Sequence, residues 1–182
     1  LDPFAEGILV LCVGKMTKSV SLMMDCEKEY IVNIIFGKRT DTLDSTGEVT
    51  AIKECKPLET QKITKVLNLF KGEIDQIPPM YSALKVNGKR LYELARQGKV
   101  VERKPRKIRI SEIQLLESDN NSLKIRVRCG RGTYIRVLAS DIAKRMNTVG
   151  FLKSLVRTEV GEFNEQDSMS VENVVEWLSA KT

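Results

Sequence analysis

Asp2 stands immediately before Pro3 in the opening Leu1-Asp2-Pro3. Proline keeps the residue before it out of helical backbone, so this carboxylate sits on an extended, stiff stretch, as a reacting group requires. The same tripeptide also suits an Asx-type turn or a helix N-cap. Farther along, Gly130-Arg131-Gly132-Thr133-Tyr134-Ile135-Arg136 leaves a predicted strand through two glycines and enters a predicted helix, with Tyr134 and Arg136 in its first turn. A cation there is opposed by the positive end of the helix dipole. Arg136 therefore calls for an anion: a phosphate, a buried carboxylate, or a surface ion pair worth under about 1 kcal/mol.

The chain has no His, which excludes Ser-His-Asp and Cys-His nucleophile systems and His-ligated zinc from these residues. Chemistry must draw on carboxylate, Lys, Tyr, Cys or Arg. Cys12, Cys26, Cys55 and Cys129 are scattered with no CxxC pair, so reduced, mostly buried thiols are expected rather than a zinc knuckle or a disulfide framework. Asp41 and Asp44 raise the question of a metal loop, but their spacing fits no calcium motif and a turn is the simpler reading. The Met residues read as core filling.

Charge points to a partner. Thirty Lys and Arg face 24 Asp and Glu, a net +6. From Lys85 to Arg109 ten basic residues face two acidic ones, Glu93 and Glu102, so this window carries +8 and the remainder −2. Such clustering favours a polyanion, RNA or DNA rather than a bilayer, because no amphipathic anchor accompanies it; a solvated basic face is the alternative.

The elements that must position these groups follow from periodicity. The longest apolar run, Ile8 to Val13, is far short of the roughly 20 residues of a spanning helix and reads as a buried strand. With no charged-then-apolar leader, a soluble, cytoplasmic protein is expected. Met16, Val20, Met23 and Met24 give Gly14 to Met24 the spacing of a short helix, and Glu29 to Phe36 reads as a second strand closed by a polar turn, Gly37 to Gly47. A short strand near Val49 to Ile52 precedes a helix from about Glu59 to Phe70, whose stripe is Ile63, Val66, Leu67 and Phe70. The paired prolines of Gln76 to Ser82 demand extended, exposed backbone. Asn87-Gly88 signals a tight hairpin, and Arg90 to Gln97 a short helix ended by Gly98.

Lys107 to Leu116 and Leu123 to Cys129 read as strands; the second alternates apolar residues with Lys124, Arg126 and Arg128, a half-buried strand with a cationic outer face. A helix from Gly132-Thr133 to about Met146 carries Ile135, Leu138, Ala139 and Ile142, and a strand near Ser154 to Val160 and a helix from Val171 to Leu178 complete the chain. Strands interleaved with helices over 182 residues, without repeats or a linker, indicate one α+β (mixed α/β) domain.

Leu1-Asp2-Pro3-Phe4-Ala5-Glu6-Gly7-Ile8-Leu9 resembles the catalytic loop of the TruB family of tRNA pseudouridine-55 synthases, whose pattern is LDPxAxGxL. Further blocks recur in family order: Gly14 with Thr17-Lys18, Lys28-Glu29-Tyr30, Gly37 through Thr40-Asp41-Thr42 and Asp44 to Gly47, Gln76 through Pro78-Pro79 and Tyr81-Ser82-Ala83, Gly132 to Arg136, and Leu155 with Arg157 and Gly161. The resemblance implies the pseudouridine synthase fold, a mixed, largely antiparallel sheet flanked by helices. It also implies isomerisation of uridine to pseudouridine in the T-loop of tRNA, at position 55. Asp2 matches the family's essential aspartate, which attacks or deprotonates the ribose. Tyr30 matches the tyrosine that stacks on the flipped uracil, Arg136 the arginine that pairs with the carboxylate, and Tyr134 and Leu155 residues lining the uridine pocket.

No cofactor and no metal are implied, and the partner is a tRNA T-stem-loop, bound by a monomer. The basic window, with Lys85, Lys89, Arg90, Arg103, Lys104 and Arg106, would hold phosphates. Glu6 stands where the family often has Thr. The family also places a Gly-His motif, a strand and a helix before this loop, and many bacterial members end in a PUA-like RNA-binding domain. Residues 1–182 are therefore expected to form the catalytic domain without those parts. A catalytically incomplete RNA-binding or RNA-folding module of the same fold is the alternative, and a carboxylate-pair glycosidase or nucleosidase a poorer one.

Overall fold

The computed structural model describes residues 2–86 and 88–180. A two-residue strand β1 (Glu6–Gly7) is followed by a 3-10 turn (Gly14–Ser19), helix α1 (Val20–Asp25), the long strand β2 (Lys28–Phe36) and the ribbon β3 (Lys38–Thr40) and β4 (Val49–Ile52). Helix α2 (Thr60–Asn68) leads to strand β5 (Gly72–Gln76), a small hairpin of β6 (Lys85–Val86) and β7 (Lys89–Arg90), and helix α3 (Leu91–Arg96). Then come β8 (Arg106–Ser118), β9 (Ser122–Cys129), helix α4 (Ile135–Arg145), β10 (Gly150–Val160) and helix α5 (Val171–Ser179).

Six strands form one sheet in the order β1-β10-β2-β9-β8-β5. Only β1 runs parallel to its neighbour; the other pairs are antiparallel, the mixed, largely antiparallel arrangement expected. Alternation decides which face is buried. Along β9, Leu123, Ile125, Val127 and Cys129 are at most 1% exposed, and Val32, Ile34 and Phe36 of β2 lie beside them. Helix α4 packs on β10 and α2 on β8 over this face, bringing Ile63, Leu67, Leu138 and Ile142 into the same core. Truncating such a residue to Ala costs about 2–5 kcal/mol, so the helices have little freedom to shift.

On the opposite face Lys124 pairs with Glu117, and Arg128 with Glu29 and Glu159. The predicted cationic face of β9 is thus neutralised within the sheet.

Several expectations are corrected. Ile8 to Val13 is not a buried strand: the ladder to β10 ends where the Ile8 N–H donates to the Arg157 carbonyl at 2.8 Å. Beyond it no described strand takes up the backbone groups, and Leu9, Leu11 and Val13 are 64%, 69% and 77% exposed. Gly14 to Met24 divides into the 3-10 turn and α1, neither of which buries a residue. The segment from Gln76 to Ser82 bends from Met80 onward and is largely not exposed, since Gln76, Pro78, Pro79 and Ser82 are buried while Ile77 is 50% exposed. Of the four free thiols only Cys129 is buried, and burial pushes its pKa up to about 11. The turn from Gly37 to Gly47 contains β3, and β5 ends just before the prolines. In the predicted hairpin Val86 pairs with Lys89 and Gly88 has a φ of 80°, while Asn87 lies outside the described residues, as does Leu1.

Candidate functional site

The loop that carries Asp2 is fixed at both ends. Asp2 to Ala5 form a turn with Pro3 at its second position, and the Ala5 N–H donates to the Asp2 carbonyl at 3.0 Å. Phe4 and Ala5 pack against the core. Gly7 then adopts a φ of +96°, and a Cβ there would meet the Arg157 carbonyl oxygen at 2.1 Å, so glycine alone lets the loop lie this close to β10. The Arg157 Nε in turn donates to the Ile8 carbonyl at 2.6 Å.

Across the cleft, α4 presents Arg136 on its first turn. The residue is 5% exposed, and its guanidinium is gripped on every side. Nε donates to one oxygen of Asp2 at 2.8 Å and Nη2 to the other at 3.0 Å, a bidentate pair. Nη2 also donates to the Tyr81 carbonyl at 2.9 Å and Nη1 to that of Thr42 at 2.8 Å. The anion that the helix dipole demanded is the Asp2 carboxylate.

A second carboxylate shares the guanidinium. Asp44 is 4% exposed, and its Oδ2 lies 3.4 Å from Arg136 Nη1. Its Oδ1 accepts from the Thr42 hydroxyl at 2.7 Å, the Thr46 hydroxyl at 2.6 Å and the Thr46 N–H at 3.0 Å. Asp41 has the turn role expected, accepting the Thr42 and Glu48 N–H groups at 2.8 and 3.0 Å, and it also accepts the Tyr81 hydroxyl at 3.2 Å. Sequence reasoning put Asp44 in a turn as well and missed its charge partner.

Tyr30, on the core side of β2, stands opposite Arg157 of β10. Burial raises its phenol pKa above the usual value, and the nearby Arg157 guanidinium works against that rise. Tyr30, Tyr134 and Leu155 join Asp2 and Arg136 in lining one cleft of about 670 Å³. The structure therefore brings together all five residues marked from the sequence for reaction and uridine contact.

The basic residues lie apart from this cluster. Lys85, Lys89 and Arg90 project from the exposed β6-β7 hairpin, and Lys104 and Arg106 are exposed near the start of β8. Arg103 is half-buried, with Nη1 donating to the Pro78 carbonyl at 3.2 Å. Two residues not singled out from the sequence link hairpin and cleft. The guanidiniums of Arg90 and Arg96 lie 5.8 and 5.4 Å from the centroid of the Tyr92 ring, and both Tyr92 and Arg96 line the cleft. The Tyr92 N–H donates to the Ser82 carbonyl at 3.0 Å, next to the Tyr81 carbonyl that receives Arg136.

Among the described residues no three His, Cys, Asp or Glu gather as a metal site. No helix among them is long and apolar enough to cross a membrane. What the cleft offers is a carboxylate held by a buried guanidinium, a half-buried phenol and apolar walls.

The chain is similar to known proteins along most of its length. Residues 1–135 match the family described as TruB family pseudouridylate synthase (N terminal domain). The chain is 48% identical over 175 residues to tRNA pseudouridine synthase B of Francisella philomiragia, covering 96% of this chain and 58% of that one. It is 44% identical over 177 residues to the protein of the same name from Caldanaerobacter subterraneus, covering 97% and 62%. The chain thus spans about three fifths of the length of these relatives. Among solved structures, a chain of a Cbf5-Nop10-Gar1 complex matches with a TM-score of 0.72 at 25% identity, covering 98% of this chain and 44% of that one. A chain of the archaeal box H/ACA sRNP Nop10-Cbf5 complex matches with a TM-score of 0.67 at 21% identity, covering 100% and 45%, a likeness of fold.

Proposed function

The chain belongs to the TruB family of pseudouridylate synthases, and from that premise we propose that it isomerises uridine to pseudouridine in the T-loop of tRNA, at position 55. The observation that carries this reading is the bidentate Asp2–Arg136 pair at the floor of a cleft walled by Tyr30, Tyr134 and Leu155.

The reaction breaks the C1′–N1 glycosidic bond, turns the uracil and joins C1′ to C5, after which C5 loses its proton and N1 gains one. Atoms are conserved, and neither water nor an electron donor is consumed. Asp2 attacks or deprotonates the ribose, and the two hydrogen bonds from the Arg136 guanidinium hold its carboxylate in place for either route.

A uridine within a folded T-loop has to leave its stack, at a cost of a few kcal/mol. Stacking on the Tyr30 ring offsets part of that, by about 1–3 kcal/mol. Because burial raises the phenol pKa, Tyr30 meets the base as a neutral, flat surface at working pH. Leu155 closes the apolar side, being 4% exposed even without substrate. On this reading the exposed cations of the hairpin and of the start of β8 take phosphates of the stem.

The test is the product. Purified protein with an unmodified T-stem-loop RNA should convert one uridine to pseudouridine with no change in RNA mass. Binding without conversion would assign an RNA-binding module, and release of free uracil would assign a glycosidase.

A further inference from the structure

Gln76, the last residue of β5, is 2% exposed and makes two hydrogen bonds to one distant residue. Its Oε1 accepts from the Tyr134 N–H at 2.8 Å, and its Nε2 donates to the Tyr134 carbonyl at 3.2 Å. The amide thus reads both main-chain groups of a single extended residue, as a neighbouring strand would. Tyr134 has φ −95° and ψ 103° and is the N-cap of α4, yet it makes no side-chain capping bond. Its carbonyl also receives the N–H groups of Val137 and Leu138, at 3.1 and 3.0 Å. The geometry at the start of α4 is therefore set by the Gln76 amide rather than by a capping side chain.

Arg136 lies two residues beyond that anchor. The chain leaving Gln76 in the other direction passes through the buried Pro78 and Pro79 to Tyr81, whose carbonyl accepts from Arg136 Nη2. One amide thus sits where the backbone that carries the guanidinium meets the backbone that receives it. Gln76 itself neither lines the cleft nor touches Asp2. We propose that Gln76 is a positioning residue for the isomerisation: by clamping the Tyr134 main chain it sets the reach of Arg136 to Asp2. This rests on the function proposed above. A misplacement of about 1 Å in such a pair costs on the order of a hundredfold in rate, so the effect should fall on the chemical step.

A neutral carboxylic acid reproduces the amide, its carbonyl accepting and its hydroxyl donating, whereas a carboxylate has no donor and repels the Tyr134 carbonyl. Gln76→Glu is therefore diagnostic. Single-turnover pseudouridine formation and the Kd for unmodified T-stem-loop RNA are measured for wild type, Gln76→Glu and Gln76→Leu from about pH 5 to about pH 8, each variant being checked for a cooperative thermal transition. Asp75, Arg106 across the ladder and Tyr134 are the charged or ionisable groups beside Gln76, and taking the ratio to wild type sets aside every pH dependence the variants share with it.

At neutral pH both variants should bind RNA with unchanged Kd but react on the order of tenfold or more slowly. As pH falls, the Gln76→Glu ratio should climb towards one, because burial raises the carboxyl pKa and restores its proton. The Gln76→Leu ratio should stay low throughout. A flat Gln76→Glu ratio, near-wild-type rates, a loss confined to Kd, or loss of the folded transition would each overturn the positioning role. If wild type itself forms no pseudouridine, the failure is that of the proposed reaction and not of Gln76.

Discussion

Asp44 lies 3.4 Å from Arg136 Nη1 and, at 4% exposed, is as deeply buried as the guanidinium it faces. The arginine therefore bridges two carboxylates that both line the cleft, Asp2 the more exposed and Asp44 the more buried. Asp44 is thus a second anchor for the guanidinium. Asp44→Asn keeps the shape but sets an amide N–H₂ or a neutral oxygen against Arg136. Turnover should fall by on the order of tenfold or more, with about 1–3 kcal/mol lost in urea unfolding. Unaltered turnover alongside the stability loss would confine Asp44 to holding its loop.

Arg136→Ala removes both pairs at once and leaves the buried Asp44 carboxylate without its cation. Breaking a buried pair from one side costs about 3–5 kcal/mol, so this variant should be markedly less stable as well as inactive. Denaturant midpoints and tritium release from C5-labelled uridine read the two effects separately. A stable variant would mean that Thr42 and Thr46 alone satisfy Asp44.

The exposed and the paired cations should differ in their response to salt. Replacing Lys85 and Lys89 by Ala should weaken T-stem-loop binding and lower the slope of log K against log salt by about 0.7–0.9 for each phosphate no longer neutralised. Lys124→Ala, which removes a cation already paired with Glu117, serves as the control and should leave the slope unchanged. Equal slopes for all three variants would place the RNA on another face.

Cys129 makes a prediction about alkaline stability. Its thiol pKa is raised from 9.0 to about 11, chiefly by burial. A folded value above the unfolded one means the folded state holds the proton more tightly. That share of stability is complete below about pH 9 and is lost as pH rises through about 11, roughly 2–3 kcal/mol in all. Tyr30 shifts in the same direction and Lys28 in the opposite one, and both interact with Cys129, so the variant reports the thiol together with its coupling to them. Cys129→Ala should be less stable than wild type near pH 8 but should lose less between about pH 9 and pH 11. Parallel curves would mean that the thiol does not ionise on unfolding.

Much of the fold is legible in the sequence because local rules and tertiary packing agree. The alternation in β9 and the stripes of α2 and α4 are the core of the fold, and the two glycines before Tyr134 do open a helix with Arg136 on its first turn. Asp2 and Arg136, 134 positions apart in the chain, are brought together by family resemblance, because periodicity carries no information on such pairing. Where neighbours decide, local pattern misleads. The apolar run from Ile8 to Val13 is strand-like by composition but lacks a partner among the described residues. The prolines after Gln76 are buried because Arg103 donates to the Pro78 carbonyl and Gln76 pairs with Tyr134. Asp44 is hidden for a related reason: beside Thr42 and Thr46 a buried anion has the same local pattern as a surface turn.

The most direct measurement is pseudouridine formed on an unmodified T-stem-loop RNA by wild type and by Asp2→Asn, with RNA affinity followed in parallel. The account expects wild type to convert a single uridine at constant RNA mass, and Asp2→Asn to bind the same RNA with similar affinity while forming no product. Product formation by Asp2→Asn at the wild-type rate would contradict it.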